Sequence, residues 1–272
     1  MITESAVLVG AAAAAGASAR WNWWRRTVTD GMPTLMYHKI GDYPPGSQLQ
    51  KLWVSAEDFR KQLQYLKDNG YNSINFEDWR DAELGKKPLP SKPVLITFDD
   101  GYMNNYDLAF PLLKEFGMKG CIFLVYETMD KHNGWHDPAS EPWLKMLTWE
   151  QIFEMQKSGV IEFGSHTMRH RNLAETPIDE VRWELTESKK RLEDKLGREM
   201  IGFAYPYGAG AYKPEVRRAA LDAGYRYDFS VKQGISKLPW DREKEAIQRL
   251  LIRGDDNMFD FHLNMTRGRA RF

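Results

Sequence analysis

Short apolar runs alternate along this chain with amphipathic stretches of helical period. Thr34–His38 predicts a strand, and Ala56–Asn69 a helix that gathers Phe59, Leu63 and Leu66 onto one face. Ser73–Phe76 reads as a short strand, Val94–Phe98 as a β-branched one, Asn105–Phe116 as helix, and Gly120–Val125 as strand again. Trp149–Lys157, Pro177–Leu196 and Lys213–Ala223 supply further helices, with strand-like runs beginning at Val160, Met200, Tyr227 and Ile247. Strand followed by helix, repeated, argues for a parallel sheet closed into a barrel. Glu127–Pro142, rich in His, Asn, Gly, Asp and Pro, is too polar for a core and reads as a loop over the barrel mouth.

Three of these strands end in chemistry. Val94-Leu95-Ile96-Thr97-Phe98 stops at Asp99-Asp100-Gly101. Adjacent carboxylates resist joint ionisation unless a positive group sits beside them; a metal cation would bind one and leave the other free as a base. The run from Val160 stops at Ser165 and releases His166 and His170, whose spacing projects two imidazoles from one face of a helical turn. The run from Met200 stops at Tyr205-Pro206-Tyr207-Gly208, either an ordinary turn or a rigid wall with backbone N–H groups aimed into a site. In barrels of this kind the loops after parallel strands converge on one face. Asp100, His166 and His170 would then form a two-nitrogen, one-oxygen ligand set with an open position, the form of a catalytic zinc site.

In this order, Thr97-Phe98-Asp99-Asp100, His166-Thr167-Met168-Arg169-His170 and Tyr205-Pro206-Tyr207-Gly208 resemble the first three motifs of the polysaccharide deacetylases, carbohydrate esterase family four. Leu35-Met36-Tyr37-His38 resembles the opening of the branch that deacetylates poly-N-acetylglucosamine. The resemblance, spanning about residues 33–252, implies a distorted α/β barrel with fewer than eight parallel strands and metal-dependent removal of N-acetyl groups from a glycan. It assigns Asp99 as general base to a metal-activated water, and Asp100, His166 and His170 as ligands of one divalent ion, zinc first, cobalt or another ion in its place. It gives an oxyanion contact to Tyr207, and places Tyr102, Tyr205, Pro206 and His38 toward substrate, with Trp135 a further aromatic near the motif loops. The arginine that many members carry at the start of the third motif is replaced by Ala204. Arg249, on the late strand-like run, is the substitute expected to orient the base. The family's late histidine is not recognisable; His262 is the only one near the end, and His38 is the other spare proton donor.

Length and composition agree with one α/β barrel. A chain of 272 residues with 42% apolar residues and zero formal charge can bury a large core and carries no signal for nucleic acid. The single cysteine, Cys121, excludes an internal disulfide and reads as a buried small hydrophobe. The N-terminus departs from this pattern: Ala6–Ala19 is an uncharged, alanine-rich run leading into Arg20-Trp21-Asn22-Trp23-Trp24-Arg25-Arg26. Residues 1–30 are therefore expected to form a membrane or targeting segment, associating through residues 5–26, with the deacetylase domain at 31–272. The run is short for a span, and its cations follow it, which would leave the barrel in the cytoplasm; the resemblance implies export to the cell envelope instead. A membrane-associated envelope enzyme acting on an N-acetylglucosamine-containing polysaccharide is the expectation. A deacetylase of a small or lipid-linked amino sugar, or a catalytically weak glycan binder, are the alternatives.

Overall fold

The computed structural model describes residues 21–271. Its main sheet contains β1 (Thr34–Tyr37), β2 (Asn72–Ile74), β3 (Pro93–Phe98), β4 (Gly120–Leu124), β5 (Ile161–Ser165), β6 (Gly202–Ala204), β7 (Tyr227–Gln233) and β8 (Ile247–Leu251). Seven of these close into a parallel ring in the order β1-β8-β7-β6-β5-β4-β3, with β3 returning to β1 through Thr34 opposite Leu95 and Tyr37 opposite Phe98. β2 stands outside the ring, paired only with the first half of β3. The closed sheet is thus a distorted barrel with fewer than eight strands, as the family resemblance implies.

The helices are α1 (Ala56–Asp68), α2 (Phe76–Glu83), α3 (Phe110–Phe116), α4 (Trp149–Ser158), α5 (Ile178–Leu196), α6 (Pro214–Asp222) and α7 (Met258–Arg267). Several start at capping residues written in the sequence. Ser55 caps α1 by accepting the Asp58 N–H, and Thr148 with Gln151 forms a reciprocal capping box on α4. α1 buries Phe59, Leu63 and Leu66 against the barrel, each contributing roughly 1.5–3 kcal/mol of apolar burial. α7 is not apparent from the strand–helix alternation, yet its box of Asn257 and Asp260 is written in the sequence.

α2 closes the end of the barrel opposite Asp99. Its Phe76 and Trp79 pack on Phe123, Tyr227 and Phe229, with Trp79 stacked on Tyr227 at 4.4 Å. Gly202 and Gly164 leave the room: a Cβ at either would lie 2.6 Å from the ring of Phe76 or Phe123. Cys121 is buried in the same layer. Among the described residues no helix is long and apolar enough to cross a membrane. Residues 1–20 of the expected N-terminal segment lie outside the described residues; Trp21 and Asn22 are seated against the C-terminal part of the domain.

Candidate active site

The ends of β3, β5 and β6 bring their polar residues to one face of the barrel. The Asp100 Oδ1 lies 3.3 Å from His166 Nε2 and 3.2 Å from His170 Nε2. His166 Nδ1 lies 2.7 Å from the Ala204 carbonyl oxygen, which can only accept, so this nitrogen carries a proton. In the neutral ring Nε2 then presents a lone pair to the Asp100 carboxylate. Two acceptors facing each other at that distance hold a cation between them, either a proton on the imidazole or a metal ion. The spacing fits one: a tetrahedral ion with bonds of about 2.0–2.2 Å needs ligand edges of roughly 3.3–3.6 Å. All three donor atoms lie within 4.8 Å of one another, and all three residues are buried. His170 Nδ1 meets the Tyr207 hydroxyl at 3.0 Å, giving the second imidazole an outer partner too. Burial works to raise the Asp100 carboxyl, but the neighbouring imidazoles prevail and hold it well below the usual range. Burial lowers the His170 pKa against the pull of Asp100, which favours the neutral, ligating form.

Asp99 points elsewhere, into Arg249. Nη1 and Nη2 of Arg249 donate to Oδ1 and Oδ2 of Asp99 at 2.6 and 2.8 Å, while Nε donates to the Ser230 carbonyl oxygen at 2.9 Å. The guanidinium is fully buried, over the ring of Phe123. Burial pushes the Asp99 carboxyl up, yet the charge and hydrogen bonds of Arg249, together with His166 and His38, outweigh it and keep Asp99 below the ordinary carboxylate range. His38 stands on the other side, its Nε2 4.0 Å from Asp99 Oδ2, with a pKa lowered by burial against the opposing pull of Asp99 and Asp100.

The histidine pair does not ride on a helical turn, contrary to the spacing argument. His166 to His170 form a loop in which Thr167 and His170 take left-handed φ of 71° and 60°. Glu184 of α5 holds that loop in place, its Oε2 accepting the backbone N–H of Met168 at 2.9 Å and of Arg169 at 3.1 Å. Thr167 Oγ1 accepts the His170 N–H, and Ser165 Oγ that of Thr167. Glu184 was legible as an anomaly: it is a carboxylate on the same helical stripe as Val181, Leu185, Ser188 and Leu192, which is buried. Asp100 and Tyr207 are also left-handed, at φ 76° and 58°.

An open cleft of about 750 Å³ begins at His170 and Tyr207 and runs past Trp135, Lys131, His132 and Arg171. The polar 127–142 stretch supplies one wall, as its composition suggested, and Trp135 stacks on His170 at 4.3 Å. Three expected substrate contacts need correction. Tyr205 is fully buried and donates to Asp228 at 3.0 Å, so its ring packs behind the site. Pro206 is buried and turns the chain into Tyr207. Tyr102 is 1% exposed, wedged between Lys39 and Trp135 with its hydroxyl acting on Asp100; it backs the ligand and offers no face to a sugar. His262 lies on the outside of α7, against Tyr65.

Comparison with known proteins agrees with this geometry. The family model described as polysaccharide deacetylase matches residues 86–227, just over half of the chain. YxkH of Bacillus subtilis (strain 168), itself ascribed to the polysaccharide deacetylases, is 32% identical over 85% of this chain and 74% of its own length. A poly-β-1,6-N-acetyl-D-glucosamine N-deacetylase of Escherichia coli (strain K12) is 24% identical over 85% of this chain, which spans only 38% of that enzyme. Among solved structures, a polysaccharide deacetylase from Bacillus cereus superposes with a TM-score of 0.72 at 29% identity, covering 86% of this chain and 69% of the other. A de-N-acetylase from Aggregatibacter actinomycetemcomitans superposes with 0.73 at 26% identity, covering 87% of this chain and all of the other. The chain belongs to the polysaccharide deacetylase family, and its enzyme class is that of the polysaccharide N-deacetylases.

Proposed function

We propose that this protein hydrolyses the N-acetyl groups of an N-acetylglucosamine-containing polysaccharide, releasing acetate, with Asp99 as base and Asp100, His166 and His170 as ligands of one divalent ion, zinc first among them. The reading rests on one observation: two adjacent carboxylates are turned to different partners, Asp100 to the imidazoles and Asp99 to a buried guanidinium. A glycan-binding protein would need the first arrangement but has no use for the second.

Asp100 and the two histidines would hold a divalent ion, which when bound would supply a Lewis acid and lower the pKa of a water molecule. Asp99, kept ionised by Arg249, takes the proton of that water as its oxygen adds to the acetamide carbon. His38, across from Asp99, would relay the proton that Asp99 has taken to the departing sugar nitrogen, so that the C–N bond breaks to acetate and a free amine. The Tyr207 hydroxyl steadies His170, and its left-handed backbone aims the loop so that its N–H can meet the developing oxyanion. The cleft is open to solvent, which suits a polymer better than an enclosed monosaccharide. We place the enzyme in the cell envelope, its domain at residues 31–272 and its preceding segment, through residues 5–26, at a membrane.

Acetate release from a panel of N-acetylated oligosaccharides and monosaccharides, before and after chelation and after zinc or cobalt is returned, tests the reading. Release that grows with oligomer length and follows the metal is the expected result. Equal release with and without a chelator, or none from any N-acetylhexosamine, overturns it.

A further inference from the structure

The contacts of Trp21 fix the end of the barrel at which the first described residues are anchored. Trp21 Nε1 donates to Asp260 Oδ1 at 2.6 Å, Trp21 bridges Arg271, and its ring packs edge-on to Phe259 at 5.6 Å. Those partners gather where α7 begins, directly after β8. β8 runs parallel to β1, with Leu251 opposite Met36 and the Ile252 N–H bonded to the Met36 carbonyl, so its exit lies at the end that carries His38 and Asp99. From Trp21 the chain then descends beside α7, the Val28 N–H bonding Thr266, toward the start of β1 at the opposite end. Trp21, the first described residue, is therefore anchored at the end that holds the active site.

The same rim has the composition of a lipid interface. Trp23 and Trp24 are 44% and 58% exposed, Arg25 and Arg26 follow them exposed, and Phe259 is 47% exposed beside Trp21. Single exposed apolar side chains are ordinary; indoles next to guanidinium groups suit the headgroup layer, where the ring sits at the boundary and the cation meets phosphate. The acids nearby do not cancel these cations, because Asp255, Asp256 and Asp260 are taken up by Arg253 and Arg271. In sequence, the residues leading to Trp21 include the uncharged run Ala6–Ala19.

We infer that the rim formed by Trp23, Trp24, Arg25 and Arg26 docks on an anionic lipid bilayer and holds the barrel mouth toward the membrane surface. The inference rests on the membrane association proposed above and adds the face that meets the lipid. It makes the substrate a polymer met within a short distance of the bilayer.

The full chain allows a clean test, because Cys121 is its only cysteine and is buried. An environment-sensitive fluorophore is placed at Trp24→Cys, or at Lys87→Cys in the exposed loop before β3 at the opposite end. Each labelled chain is mixed with phosphatidylcholine vesicles with and without phosphatidylglycerol. The label at position 24 should shift to the blue and be quenched by brominated lipid, and the label at 87 should do neither. In the unlabelled full chain, Arg25→Glu with Arg26→Glu should lower affinity for the anionic vesicles about tenfold while acetate release from a soluble oligosaccharide stays at the parent rate. Equal responses at 24 and 87, a response at 87 alone, or unchanged affinity in the double variant overturns the docking face while membrane association stands. Failure of the parent chain to sediment with either vesicle overturns both.

Discussion

Arg249 and Asp99 meet through two parallel hydrogen bonds across 150 positions of sequence, from strands separated in the ring only by β1. The Ser230 carbonyl fixes the third corner of the guanidinium, so the carboxylate has one orientation available. Arg249→Ala should lower turnover about 100-fold with a much smaller change in KM, because a displaced base is felt mainly in the chemical step. Arg249 holds the Asp99 pKa down; without it the carboxylate is protonated to higher pH, and the acidic limb of the pH–rate profile should move upward. Arg249→Lys should recover only part of the rate, since an ammonium cannot copy the fork. An unmoved acidic limb in Arg249→Ala would show that Asp99 is not the group whose ionisation limits the reaction.

Asp99 and Asp100 should separate by metal content. Asp99→Asn should keep the ion and lose turnover by about 100-fold or more, since an amide cannot accept the proton. Asp100→Asn, His166→Ala and His170→Ala should each lose occupancy first. Elemental analysis of the purified variants decides it: equal metal loss at 99 and 100 would end the division of labour.

Glu184 touches neither metal ligand directly but holds the N–H groups of Met168 and Arg169 between them. Glu184→Ala strands two donors in the interior at about 1–3 kcal/mol each, and the left-handed turns at Thr167 and His170 lose their support. Metal affinity should fall at least tenfold, and Glu184→Gln, which still offers an acceptor oxygen, should restore most of it. Titration with a fluorescent zinc competitor measures this apart from activity; equal affinities in all three proteins would assign Glu184 a purely structural place.

Glu162 on β5 is almost fully buried, and burial raises its pKa from 4.5 to about 7 against the pull of Arg198 and the Glu77 N–H. The folded state therefore binds the extra proton between those values. The associated stability is complete below about pH 4.5 and is lost as pH rises through 7. Urea unfolding at pH 5 and pH 8, with a chelator present in both, should show Glu162→Gln with a flatter pH dependence than the parent, by at most about 3 kcal/mol. Identical slopes would mean that Glu162 titrates normally in the fold.

The barrel and its ligands were legible because both leave local marks: strand-length apolar runs, and polar residues placed directly after them. Arg249 could be suspected only because Ala204 left a cation missing; its partner is distant in sequence, and no local pattern records such a pair. The path of the histidine loop was misread because a spacing of four fits a helical turn and also a loop with two left-handed residues, and what selects the loop is Glu184 on another element. The tyrosines failed for a different reason. Tyr102 and Tyr205 are adjacent to motif residues, but alternation along the backbone sends neighbouring side chains in opposite directions, and both rings ended in packing.

The packing of Phe76 and Trp79 under the sheet leaves the barrel a blind tube. Among the described residues Phe123 lies between that plug and the guanidinium above it, so aromatic rings separate Asp99 from the far end of the barrel. On the proposed function, water, acetate and the glycan would share the cleft at His170 and Tyr207. A bound polymer therefore sits astride the exit of its own product, so acetate must slip out beside the chain or wait for it to move.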